Sequence, residues 1–156
     1  MREIPQRAIM AERQAGLLYT PKGVFVSVEL RMLTFSVVLG IVQIIAASHA
    51  ASLQRGYKWT ASPRDADVEP LRGVAGRLDR ALRNFVETFP LFAVVVLVAH
   101  VTDTHDALTE WGARLYFWGR LVYVLLYAAG VPLIRSLVWN VATIGIGLIV
   151  AALLFG

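Results

Sequence analysis

Cysteine is absent from this chain of 156 residues. That excludes a disulfide framework, a protein thiolate nucleophile and any metal site built on sulfur. Histidine is scarce: His49, His100 and His105 stand far apart with no ligand spacing, so no metal centre is expected. Charge is also thin. Asp, Glu, Lys and Arg make up 17% of the residues, where a soluble domain carries about 25%. Strict alternation of apolar and polar residues is missing, which excludes an outer-membrane barrel. No internal repeat or low-complexity tract is present. No apolar h-region precedes a small-residue cleavage site, so the N-terminal segment does not read as a signal peptide.

What the chain does have is apolar sequence. It is 57% apolar, with a mean hydropathy of +0.61. This composition fits an all-α integral membrane protein, and the length fits one domain. Four apolar stretches predict a four-helix bundle. They run from about Leu33 to Ala51, from Leu78 to Val101 with a polar opening half, from Trp111 to Ala129, and from Leu133 to Phe155. Each is near the roughly 20 residues a helix needs to cross the hydrocarbon core.

The connections differ in charge. Gln54 to Arg77 is long and basic, Thr102 to Glu110 is short and acidic, and Gly130-Val131-Pro132 is a tight turn followed by Arg135. Lys and Arg gather on the cytoplasmic side. The basic loop and the Gly130–Arg135 turn are therefore expected in the cytoplasm, with the acidic loop and both termini opposite. The net charge of +4 follows from such juxtamembrane arginines, and no nucleic-acid recognition motif accompanies it. The tail, residues 1–28, conflicts with this topology through Arg2, Arg7, Arg13 and Lys22. Either it is carried across, or it is a gene-model extension ahead of a domain at 29–156.

The second stretch opens with RALRNFVETFP. Arg80, Arg83, Asn84 and Glu87 fall at offsets of three, four and seven, which places them on one helix face. Ionisable groups inside a span are unfavourable by several kcal/mol unless partners satisfy them. The plain reading is inter-helix salt bridges with snorkelling arginines. The functional reading is a site whose arginines grip carboxylates and whose Glu87 receives a cationic amine. On the third stretch, Arg120, Tyr123 and Tyr127 share a face. Arg120 lies mid-span and needs a partner such as Glu87 or a polar ligand. Trp111, Tyr116 and Trp118 read as an interfacial belt. On the fourth, Arg135 and Ser136 sit in the first helical turn, where free N–H groups and the dipole favour an anion. Gly145 and Gly147 read as close-contact glycines. His49 and Gln43 read as packing groups, and Trp59 and Arg64 as interface residues of the first loop.

GRLDRALRNFVETFPLF followed by GRLVYVLLYAAGVPLIRS, with GYKW and SPRD in the first loop, resembles the MAPEG family (membrane-associated proteins in eicosanoid and glutathione metabolism), in a bacterial-type member. The resemblance covers the chain from about Glu29 onward and implies a homotrimer of four-helix subunits binding glutathione between neighbours near the cytoplasmic face. It implies that Arg83, Asn84 and Glu87 contact glutathione, with Arg80 supporting the same layer. Tyr127 joins them from the third helix, and Arg120 matches a buried arginine there. Arg135 would stabilise the thiolate and Ser136 would donate to sulfur. Tyr123 stands where the prostaglandin synthase of the family has histidine, and Arg55 is the counterpart of a basic residue from the adjacent subunit.

The chemistry agrees with the side chains. Glutathione has two carboxylates and one ammonium, and an Arg-rich site with one Glu complements it. A guanidinium and a helix N-terminus lower a thiol pKa and generate a nucleophile. The expected activity is thiolate attack on lipophilic electrophiles, or reduction of lipid hydroperoxides. The alternatives are a non-catalytic lipid-binding or scaffolding member of the same family and, further off, a small transporter. The apolar outer halves of the second and fourth helices speak against the transporter.

Overall fold

The computed structural model describes residues 26–65 and 67–156. The expectations about the tail's charges and the alternative start lie mostly outside these residues. Five helices follow in order among the described residues: α1 (Val28–Arg55), the short α2 (Tyr57–Thr60), α3 (Gly73–Val101), α4 (Ala107–Ala129) and α5 (Pro132–Phe155). Strands are absent among them, so the described fold is all-helical.

Three helices, α1, α3 and α5, are long and apolar enough to cross a membrane. The third expected span, α4, has 23 residues and at about 1.5 Å per residue is also long enough. It lacks their apolarity because it carries Glu110, Arg114 and Arg120. The outward faces match a lipid solvent: Val38, Ile41, Val42, Ile44 and Ile45 on α1 and Leu133, Leu137 and Ile144 on α5 are exposed. A soluble monomer does not expose apolar surface on that scale.

Helix starts are set by local chemistry. Ser27 caps α1, its side chain accepting from Leu30 N at 3.3 Å. Asp106 caps α4 in a reciprocal capping box with Thr109. Thr109 Oγ1 also donates to Glu29 Oε1 at 2.6 Å, and His105 Nδ1 lies 3.3 Å from the same oxygen. Glu29 is 2% exposed. The start of α1 is thus fastened to the α3–α4 connection by a buried carboxylate that hydropathy does not reveal.

α3 and α4 form the centre. Each packs on the other and on both α1 and α5, while α1 and α5 do not meet. One core cluster gathers Phe92, Val96, Ala99, Ala113, Tyr116, Ala142 and Ile149; a second gathers Leu39, Ala81, Phe85 and Val124. α4 and α5 approach so closely that a Cβ on Gly112 would lie 2.6 Å from Gly145 O, and one on Gly145 would lie 2.5 Å from Gly112 O. Gly145 therefore permits close contact as expected. Gly147 does not, because its added Cβ would meet open space. The residue facing Gly145 is Gly112, on the preceding helix.

Gly145→Leu should destabilise the protein by about 1–3 kcal/mol, the usual range for overpacking, while Gly147→Ala should be neutral. Thermal unfolding in detergent checks this; equal melting temperatures for the two variants would remove the glycine seam as a packing constraint.

Candidate functional site

The site is built around Arg120, which is 1% exposed. A cation in that position needs its donors satisfied, because the surroundings offer no water. Its Nη1 donates to Asn84 Oδ1 at 2.7 Å and its Nη2 to Thr88 Oγ1 at 2.5 Å. Thr88 passes its own proton back to the carbonyls of Asn84 and Phe85, at 3.2 and 3.3 Å. The guanidinium carbon also lies 5.4 Å from the ring centre of Tyr116 and 5.5 Å from that of Tyr123, within cation–π range. Arg120 Nε has no hydrogen-bond partner among the described residues.

Two expectations are corrected here. The partners of Arg120 are Asn84 and Thr88, not Glu87, because Asn84 and Thr88 lie four residues apart on the face of α3 that meets α4. Tyr116 is not a belt residue. It is fully buried and stacks on Phe92 with ring centres 3.9 Å apart, since its register on α4 points to the core rather than to lipid.

Above this network lies a cavity of about 250 Å³ lined by Asn84, Tyr123, Tyr127, Arg135, Ser136, Trp139 and Asn140. Tyr123 and Tyr127 meet edge-on at 5.4 Å. The Arg135 guanidinium covers the Tyr127 ring at 4.2 Å, and Arg80 approaches the same ring at 6.0 Å. Among the described residues no side chain caps the start of α5, and Pro132 occupies its opening position, so its leading N–H groups can meet an anion. Ser136 Oγ donates back to Pro132 O at 3.3 Å, and Asn140 Nδ2 donates to Ser136 O at 3.0 Å.

A second cavity, about 430 Å³, is lined by Arg55, Pro70, Leu71, Gly76, Asp79, Arg80 and Arg83. Arg83 pairs with Asp79, one turn earlier on α3. The polar stripe of α3 therefore divides in the single chain. Asn84 faces the first cavity, Arg80 and Arg83 line the second, and Glu87 is exposed and forms no ion pair among the described residues. Arg120 lies beneath the first cavity and does not line it.

Arg55, at the end of α1, and Arg64, in the loop that follows α2, lie over the Trp59 ring at 4.8 and 5.7 Å. Gln54 Oε1 accepts from Arg72 N at 3.0 Å, which pins the approach to α3. His49 Nδ1 lies 3.0 Å from Ile45 O of its own helix, and Gln43 is buried. Sequence reasoning passed over Thr88, Trp139 and Asn140. Each was within reach of the same spacing rule, since Thr88 follows Asn84 by one turn, Trp139 follows Arg135 and Asn140 follows Ser136.

Long apolar helices packed around a buried arginine, with an arginine-bearing cavity at one end, define an integral membrane protein. The family is specific: the MAPEG family model matches residues 32–155. That is most of the chain, and the chain belongs to the MAPEG family. No curated protein and no solved structure gives a significant match.

Arg120→Ala should destabilise the protein by at least the roughly 1–3 kcal/mol of one unsatisfied buried polar group, because Asn84 Oδ1 loses its donor and a cavity opens. Arg120→Met, which fills the volume but leaves Asn84 Oδ1 without its donor, should recover only the cavity part of the loss. Melting temperatures of the two variants check this; an Arg120→Ala protein as stable as the parent would show that the network does not hold α3 to α4.

Proposed function

We propose that this protein is a membrane-bound glutathione-dependent transferase or peroxidase acting on lipophilic electrophiles or lipid hydroperoxides. The observation that carries the reading is the placement of Arg135 and Ser136. They stand in the first turn of α5 beside a cavity shared with Asn84, Tyr123 and Tyr127, in a chain of the MAPEG family. A thiol there meets a guanidinium and uncapped helix N–H groups, both of which favour the thiolate. Rotation of the Ser136 side chain turns its hydroxyl from Pro132 O toward sulfur.

The thiol proton leaves to solvent. The thiolate then attacks an electrophilic carbon, the S–C bond forms, and the leaving group departs with its electron pair. With a hydroperoxide the thiolate attacks the terminal oxygen and the O–O bond breaks. The lipid alkoxide takes a proton, and the sulfenic acid condenses with a second thiol to give disulfide and water. Arg135 and Ser136 are the catalytic residues in this reading. Arg80, Arg83, Asn84, Glu87, Tyr123 and Tyr127 hold glutathione, and Arg120 supports that layer by fixing Asn84.

Exposed Arg80, Arg83 and Glu87 on a spanning helix cannot face lipid without a large penalty. Neighbouring subunits would cover them, which supports a homotrimer whose sites lie between copies. The basic first loop and turn argue for a site near the cytoplasmic face, with both termini opposite. A non-catalytic lipid-binding or scaffolding role is separated from catalysis by a conjugation assay with a chromogenic aryl halide.

Arg135→Ala and Ser136→Ala should each lower kcat by about tenfold or more with a smaller change in glutathione affinity; unchanged turnover in both would refute the thiolate role. Arg83→Ala and Glu87→Ala should weaken binding by roughly 1.5–3 kcal/mol each, the range for hydrogen bonds to charged groups. Isothermal titration reads this, and unaltered affinity in both removes them from the site.

A further inference from the structure

The α4–α5 turn carries Tyr127 on one side and Arg135 and Ser136 on the other, so its geometry sets their spacing. Its backbone is almost fully accounted for. Gly130, in the left-handed region with φ 85°, donates to Tyr127 O at 3.1 Å, and Val131 N donates to Leu126 O at 3.0 Å. These are the two bonds of a Schellman ending. The Ala128 carbonyl is left over by that pattern, and a side chain from another helix takes it: Arg77 Nε, on α3, donates to Ala128 O at 2.9 Å. The same guanidinium lies flat against Gly130. A Cβ there would sit 3.4 Å from Arg77 Nη1 and 3.6 Å from its Cζ.

We propose that Arg77 is a positioning residue for the site, holding the α4–α5 turn against α3 so that Arg135 stays over Tyr127 and Ser136 stays at the cavity. Arg77 lines neither cavity of the site, so it acts through the turn and not on a ligand. Charge as well as geometry suits the task. A cation at a helix C-terminus meets the negative end of the dipole of α4, and the Nε–H supplies a directed donor to a carbonyl that would otherwise be orphaned. Cavity-lining Asn84 and Arg77 both belong to α3, so one helix fixes the floor of the cavity and, through Arg77, the helix start that faces it. On the sequence Arg77 looked like one more topogenic arginine at the end of the basic loop.

The catalytic half of this inference rests on the proposed function; the structural half does not. Two measurements on the full-length protein in detergent keep them apart. Backbone hydrogen exchange needs no thiol. Arg77→Ala should speed exchange at Gly130 and Val131 by about tenfold, as expected for loss of a charged hydrogen bond, with the middle of α4 unaffected. In the conjugation assay the same variant should lower kcat about tenfold with glutathione Kd within about threefold. Its rate profile should need higher pH, because a displaced Arg135 stabilises the thiolate less. Arg77→Lys, which keeps a cationic donor and guards against a variant that fails to fold, should restore most of both effects. Exchange at the turn unchanged in Arg77→Ala overturns the inference outright. Faster exchange with unaltered kcat and pH profile, in a protein where Arg135→Ala is impaired, overturns the positioning role alone. Normal activity in Arg135→Ala instead removes the proposed function, and the catalytic half of the inference falls with it.

Discussion

The burial of Arg120 between α3 and α4 constrains everything near it. A guanidinium held away from water is tolerable only if acceptors and ring faces surround it. Asn84 and Thr88 accept its protons and Tyr116 and Tyr123 offer their faces. These contacts fix the register of α3 on α4. Asn84 is then turned toward α5, and Tyr123 and Tyr127 are turned toward the same space. The glycine seam of Gly112 and Gly145 fixes the other contact, α4 on α5. With both registers set, the first turn of α5 has one place to go, which is beside Tyr127.

Two kinds of polar residue follow from this arrangement. Arg120, Thr88, Glu29 and Thr109 are consumed by the fold, since each is bonded within the chain and withdrawn from solvent or nearly so. Arg80, Arg83, Glu87, Arg135 and Ser136 keep capacity for something else. A bundle that needed only to sit in a bilayer would have no use for the second group. The proposed site uses it, with Arg135 and Ser136 acting at sulfur and the α3 residues gripping the peptide's charges.

The helices were legible because continuous apolar runs leave few alternatives. α3, α4 and α5 fall within a few residues of the expected stretches at most ends; α3 begins earlier, at Gly73, within a segment first read as loop. α1 begins earlier too, at Val28, because Ser27 caps it and Glu29 is buried there, and neither fact has a hydropathy signal. The division of the polar stripe was not legible. Offsets of three and four place Arg83, Asn84 and Glu87 on one side of a helix, but the width of that side spans two neighbours, and only packing decides which residue meets which. Tyr116 and Trp111 look alike on a helix end, and burial separates them. Gly147 looks like Gly145 until its open surroundings are seen. Arg77 reads as a membrane-edge charge, and its bond to Ala128 joins residues 51 positions apart.

Everything proposed for the site turns on Arg135 and the start of α5 stabilising a bound thiolate. Ultraviolet difference spectroscopy of glutathione added to the purified protein at neutral pH tests it most directly. A saturable thiolate absorbance is expected in the parent protein and is lost in Arg135→Ala while glutathione still binds. Bound glutathione with no thiolate band in the parent, or an undiminished band in Arg135→Ala, would contradict it.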